Sequence, residues 1–125
     1  MTHDIHAFDE ELFESARDIM KARFPEMIEG YLEDAQIYIG HIKDGFADKD
    51  DKKVAHYAHP LKSSSQSIGM VGLSNVAKEL ELKAKSGIEE NADISHLESL
   101  VPQIEAAFLF VQSKLDSVCA RGSGA

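Results

Sequence analysis

From Ile28 to Phe46 apolar side chains recur every three or four residues, at Ile28, Tyr31, Leu32, Ala35, Tyr38, Ile39, Ile42 and Phe46. Alternation would suit a strand; this spacing instead draws one apolar stripe along a helix for about six turns. Such a stripe is stable only when other helices cover it. Phe24-Pro25 opens the segment, with the proline preset for a first helical turn. No run of alternating β-branched residues offers a strand anywhere in the chain.

The same period returns in four further segments. A short first helix is expected after Asp9, a good N-cap, carrying Leu12, Phe13, Ala16 and Ile19. The charged stretch Asp48-Lys49-Asp50-Asp51 reads as a turn, with Asp50 or Asp51 capping a third helix from about Lys52 to Ile68. That helix buries Val54, Ala58, Leu61, Ser65 and Ile68, and Gly69 and Gly72 bracket a tight connection. A fourth helix carries Leu73, Val76, Ala77, Leu80 and Ala84, with Gly87 expected as its stop. The last opens near Asp93 or Ser95, where Ser95-His96-Leu97-Glu98 has the form of a capping box. Its stripe is Leu97, Val101, Ile104, Phe108, Val111, Leu115 and Val118, and Pro102 should kink it unless the helix starts later. The expected fold is all-α: an antiparallel up-down-up-down four-helix bundle with the short N-terminal helix as a lid. One domain should occupy 1–120, with 121–125 as a flexible tail.

Charge and composition exclude several classes of function. A formal net charge of −9 offers no basic stripe for nucleic acid and no attraction to an anionic membrane. No apolar run approaches the ~20 residues of a membrane span, and Met1 to His6 lacks the features of a secretory signal. Cys119 is the only cysteine, so an intramolecular disulfide is impossible, and a cytoplasmic setting is expected. The cysteine itself reads as an ordinary small apolar residue. Locally the balance reverses: Lys52, Lys53, His56 and Lys62 cluster where the acidic residues stop at Asp51.

Within that patch His59 stands out. At 100° per residue it lies about 140° from Val54 on the third helix, and Gln66 falls within about 20° of it. Lys62 and Ser63 lie one turn further on, so His59, Lys62, Ser63 and Gln66 form one exposed polar strip. A neutral imidazole is a nucleophile near pH 7 and can carry a phosphoryl group. An ammonium one turn away favours the charged product, and small side chains leave room for a second protein. Antiparallel geometry adds Glu81. It lies eleven residues after Met70, and His59 eleven before, so the two should stand level. A carboxylate there would fix the imidazole tautomer, and Lys85 would add positive charge. Pro60 lacks the N–H that would bond the His56 carbonyl. It is either a tolerated bend or one that pushes His59 outward.

The run Ala58-His59-Pro60-Leu61-Lys62, with Ser64, Ser65, Ile68 and Gly69 and the later pair Leu80-Glu81, resembles the histidine-containing phosphotransfer (HPt) domains of two-component phosphorelays. The core motif covers about a dozen residues, and the helix plan extends the likeness over nearly the whole chain. Ser63 stands where that family usually has glycine. The resemblance implies that His59 is phosphorylated, with Lys62 as its charge partner. It also implies response-regulator receiver domains, and a hybrid sensor kinase, as partners, with Mg²⁺ supplied by the receiver. A monomeric phosphoryl carrier without a bound cofactor is expected, not an autonomous kinase, since no glycine-rich nucleotide loop is present.

The competing readings are plainer. His3, His6, His41 and His96 read as solvated side chains. His56 and His59 share the spacing of some metal ligands, but the Glu-x-x-His pairs of di-metal bundles are missing, so no metal site is expected. The alternative from another class is a non-catalytic helical adaptor docking through an apolar face.

Overall fold

The structure is a computed structural model that describes residues 3–124, and the side chains of residues 3–116. Its elements are α1 (Glu10–Met20), a 3₁₀ turn (Lys21–Arg23), α2 (Phe24–Ala47), α3 (Asp51–Ser67), α4 (Val71–Glu90), a second 3₁₀ turn (Ile94–Leu97) and α5 (Leu100–Gly124). The fold is the expected all-helical bundle of four long helices with a short helix ahead of it. The most extensive packing is between α3 and α4, followed by α2 with α3. Among the described residues no helix is long and apolar enough to cross a membrane. The expected tail at 121–125, Val118 and Cys119 lie outside the described side chains.

The core is the sum of the apolar stripes. Ile28, Ala35, Ile39 and Ile42 of α2 meet Val54, Ala58 and Leu61 of α3, Leu73, Val76, Ala77, Leu80 and Ala84 of α4, and Ile104, Val111 and Leu115 of α5. Each large aliphatic side chain buried this way contributes about 1.5–3 kcal/mol against its conformational cost. Asp9 and Asp50 cap α1 and α3, accepting from the backbone N–H groups of Leu12 and Lys53. Phe8, just before the Asp9 cap, packs on Phe13 with ring centroids 5.5 Å apart, a hydrophobic staple.

Several local expectations are corrected. Ile19 points into solvent, and the half-buried Met20 packs on the core in its place. The segment 95–98 does not open the last helix. Asp93 instead caps a 3₁₀ turn through the Ser95 N–H, and α5 begins at Leu100. Pro102 therefore lies in the first turn of α5, where its missing N–H has no intrahelical partner to lose. Gly87 does not stop α4, which continues to Glu90 and ends on Asn91 in a left-handed conformation (φ 53°). Gly87 is small because a Cβ there would lie 2.4 Å from Asp51 Oδ2 and 2.7 Å from His96 Nε2. The assignment of His3, His41 and His96 to solvent also fails. His3 pairs with Glu79, the His41 ring stacks on Tyr57 at 4.2 Å, and His96 packs against Gly87.

The α3–α4 connection sets the register of the two helices that matter most below. Gly69 turns the chain with φ 81°, and its carbonyl accepts from the Asp9 N–H at 2.8 Å. The Gly72 N–H donates to the Ala7 carbonyl at 2.9 Å. The segment ahead of α1 thus crosses this turn so closely that neither glycine has room for a side chain. Gly69→Ala would strain a left-handed backbone and drive a Cβ to 2.3 Å from the Asp9 carbonyl oxygen. The expected loss is about 1–3 kcal/mol, read as a lowered midpoint in urea unfolding.

Candidate functional site

From Ala55 onward α3 follows directly from its sequence. Ala55, Ala58, Leu61 and Ser65 face inward, and His59, Ser63 and Gln66 face out beside the half-buried Lys62. The helix runs through Pro60 unbroken. Beyond it the serines bond back to their own helix. Ser63 Oγ donates to the His59 carbonyl over a long 3.4 Å, Ser64 Oγ to the Pro60 carbonyl at 2.9 Å, and Ser67 Oγ to the Ser64 carbonyl at 2.8 Å. Ser65 is buried and bonded to the Tyr31 hydroxyl at 2.7 Å, tying α3 to α2; burial pushes the Tyr31 hydroxyl well above its usual range. From α4, Ser74 Oγ donates to the Lys62 carbonyl at 2.9 Å. Periodicity could not show either bond, because both depend on which helix lies next to which.

At the centre of the α3–α4 seam is Glu81. Its side chain is only 5% exposed, and its carboxylate receives three donors. Oε2 lies 2.7 Å from His59 Nδ1 and 3.0 Å from Lys85 Nζ, and Oε1 lies 2.7 Å from Lys62 Nζ. A buried carboxylate costs several kcal/mol of lost hydration unless it is paired. Here burial raises the pKa, but the hydrogen bonds from Lys62, Lys85 and His59 outweigh it and hold the group at about 2. Glu81 is therefore ionised at neutral pH and can only accept. The Nδ1 of His59 must carry the proton, and in the neutral ring the lone pair is on Nε2. The His59 side chain is 62% exposed, leaving that second nitrogen open to a visiting molecule.

The structure thus brings His59, Lys62, Glu81 and Lys85 together by direct contacts. Ser63 and Gln66 are on the same exposed face without bonding to that cluster; they line a basin of about 560 Å³ with Lys62, Asn75 and Lys78. A second basin of about 590 Å³ lies on the other side of His59, lined by Lys52, Ala55, His56, Pro60, Lys85 and Ile88 as well as His59 and Glu81. Glu81 is the single carboxylate among the residues lining the two. In a chain of net charge −9 that is a marked local reversal. Among the described residues no cluster of three or more His, Cys, Asp or Glu could hold a metal ion.

Residues 26–107 match the family model of the Hpt domain. Two solved structures share the architecture. Histidine-containing phosphotransfer protein B from Pseudomonas aeruginosa PAO1 superposes with a TM-score of 0.84 at 23% identity, over 92% of this chain and 96% of that one. The HPT domain of the Hpt sensor hybrid histidine kinase from Shewanella gives a TM-score of 0.73 at 17% identity, over 94% and 97%. At these identities the likeness establishes the fold. No curated protein sequence matches the chain significantly.

The ionisation of Glu81 has a measurable consequence. Its folded pKa of about 2 lies below the ordinary 4.5, so its contribution to stability is complete above about pH 4.5 and is lost as the pH falls towards 2. The difference corresponds to roughly 3 kcal/mol. Urea unfolding from pH 6 to pH 2 should show wild type losing more stability than Glu81→Gln, with the gap opening below pH 4.5. Parallel curves would mean that Glu81 is not the buried, paired carboxylate described.

Proposed function

This chain belongs to the Hpt domain family, whose role is phosphotransfer in two-component systems, and from that premise we propose that His59 is its phosphoryl-carrying residue. The observation that carries the reading is the contact of His59 Nδ1 with the ionised Glu81, which leaves Nε2 as an exposed nucleophile. In the forward step the Nε2 lone pair attacks the phosphorus of an aspartyl phosphate on a receiver domain. The N–P bond forms, the P–O bond breaks, and the carboxylate departs with its electron pair. The proton stays on Nδ1, donated to Glu81, whose negative charge stabilises the cationic ring that results. In the onward step a receiver aspartate attacks the same phosphorus, and the N–P electrons return to Nε2.

The remaining residues support both directions. Lys62, one turn from His59, supplies positive charge for the phosphoryl oxygens. Ser63 is small and exposed, so it leaves space for an incoming aspartate in line with the N–P bond, although its hydroxyl fills part of what glycine would leave open. Gln66 and the basin beyond it lie where a partner's surface would rest. On this reading the partners are receiver domains, either free or within a hybrid kinase, and the Mg²⁺ of aspartyl phosphate chemistry belongs to them. On the same reading the protein is a phosphoryl carrier working in the cytoplasm.

Incubation with a phosphorylated receiver should label the wild-type protein, and His59→Gln should take no label. Lys62→Ala should still fold, with a lowered thermal midpoint because Glu81 Oε1 loses its donor, and should transfer about 10–100-fold more slowly. The phosphohistidine should carry its phosphoryl group on Nε2 by ¹⁵N and ³¹P NMR. Attachment at Nδ1, or labelling that survives His59→Gln, would overturn the assignment.

A further inference from the structure

The resting site shows an imbalance that phosphorylation must resolve. Lys62 Nζ, the charge assigned to the phosphoryl group, is bound to Glu81 Oε1 at 2.7 Å. A phosphoryl group on Nε2 would compete with that carboxylate for the Lys62 ammonium and draw it away from Oε1. If it left, Oε1 would lose its donor, and a carboxylate only 5% exposed would be under-compensated. Lys85 meets that need. Its Nζ is 3.0 Å from Oε2, it stands one turn after Glu81 on α4 in the favourable Glu-to-Lys orientation, and its side chain is 60% exposed. The neighbouring α4 lysine Lys83 is engaged elsewhere, on Glu79 at 2.9 Å.

We propose that Lys85 is a positioning residue: it holds Glu81 charged and in place while Lys62 moves from that carboxylate to the phosphoryl group on His59. The inference rests on His59 being the phosphoryl acceptor, and it extends that reading to a residue that does not touch the transferred group. Lys85 acts through Lys62. With Lys85 in place the buried carboxylate retains a full positive charge as well as the Nδ1 proton, and Lys62 is free to move. Without Lys85, Glu81 keeps Lys62 for itself. The division of oxygens fits this exchange, since Lys62 alone uses Oε1 while His59 and Lys85 share Oε2.

The test is a double-mutant cycle read with phosphoramidate, a small phosphoryl donor that needs no receiver, following the phosphohistidine signal by ³¹P NMR. Lys85→Gln should slow labelling of His59 about tenfold in the wild-type background and add no further loss to Lys62→Ala. Lys85→Arg should restore the rate, and every variant should remain cooperatively folded at the labelling temperature, with the midpoint lowered where Lys62 is removed. Equal losses in both backgrounds would show Lys85 acting as an independent surface charge and overturn the inference, as would no loss in either. If the wild-type protein takes no phosphoryl group on His59 from phosphoramidate or from any receiver, the functional reading fails and this one with it. An additive cycle in a protein that labels normally sinks the Lys85 role alone.

Discussion

A carboxylate removed from water must be neutralised where it stands, and in this bundle that requirement joins the two helices of the site. Glu81 sits on the inner side of α4, beside Leu80 of the core, and its charge is met by His59 and Lys62 from α3 and by Lys85 from its own helix. Three charge-assisted hydrogen bonds outweigh the cost of burial, which is why the group stays ionised. The same bonds settle the chemistry of the histidine. An acceptor that is always ionised leaves one tautomer for the neutral ring and directs the free lone pair outward. Stability and nucleophilicity therefore have one source.

That arrangement depends on register, and register is set some distance away. The α3–α4 turn is tight because Gly69 adopts a positive φ and because the segment ahead of α1 lies across it. The bonds from Gly72 N–H to the Ala7 carbonyl and from Asp9 N–H to the Gly69 carbonyl clamp the turn from outside. Ser74 adds a bond from α4 to the Lys62 carbonyl, close to the site itself. A slip of one residue on either helix rotates a side chain by about 100°, enough to carry Glu81 away from His59. The N-terminal lid is thus part of the site's geometry without touching it.

Much of the fold was legible because apolar periodicity is local information. The stripes of α2, α4 and α5 name their own inward faces, and caps at Asp9 and Asp50 mark two starts. The misreadings share one cause. Gly87 carries the same signal whether it ends a helix or lets another chain segment approach, and only the presence of Asp51 and His96 distinguishes the two. Ile19 is apolar, but α1 turns Phe13, Ala16 and Met20 towards the core and leaves Ile19 one residue off that line. His3, His41 and His96 looked solvated because a histidine's surroundings are supplied by other elements.

For the site the division is similar. The amino-acid sequence by itself determined that His59, Lys62, Ser63 and Gln66 share one side of the third helix, since helical phase places residues of one helix relative to each other. It also determined the candidacy of Glu81, because a two-fold count from a short turn is enough to pair heights across an antiparallel seam. Tertiary structure alone decided that Glu81 is buried and that Lys62 is bound to it at rest, whereas Lys85 was within reach by its place one turn on along the same helix. Those facts turn on burial and on distances of about 3 Å between side chains of different helices. Periodicity fixes which way a side chain points; only packing fixes what it meets.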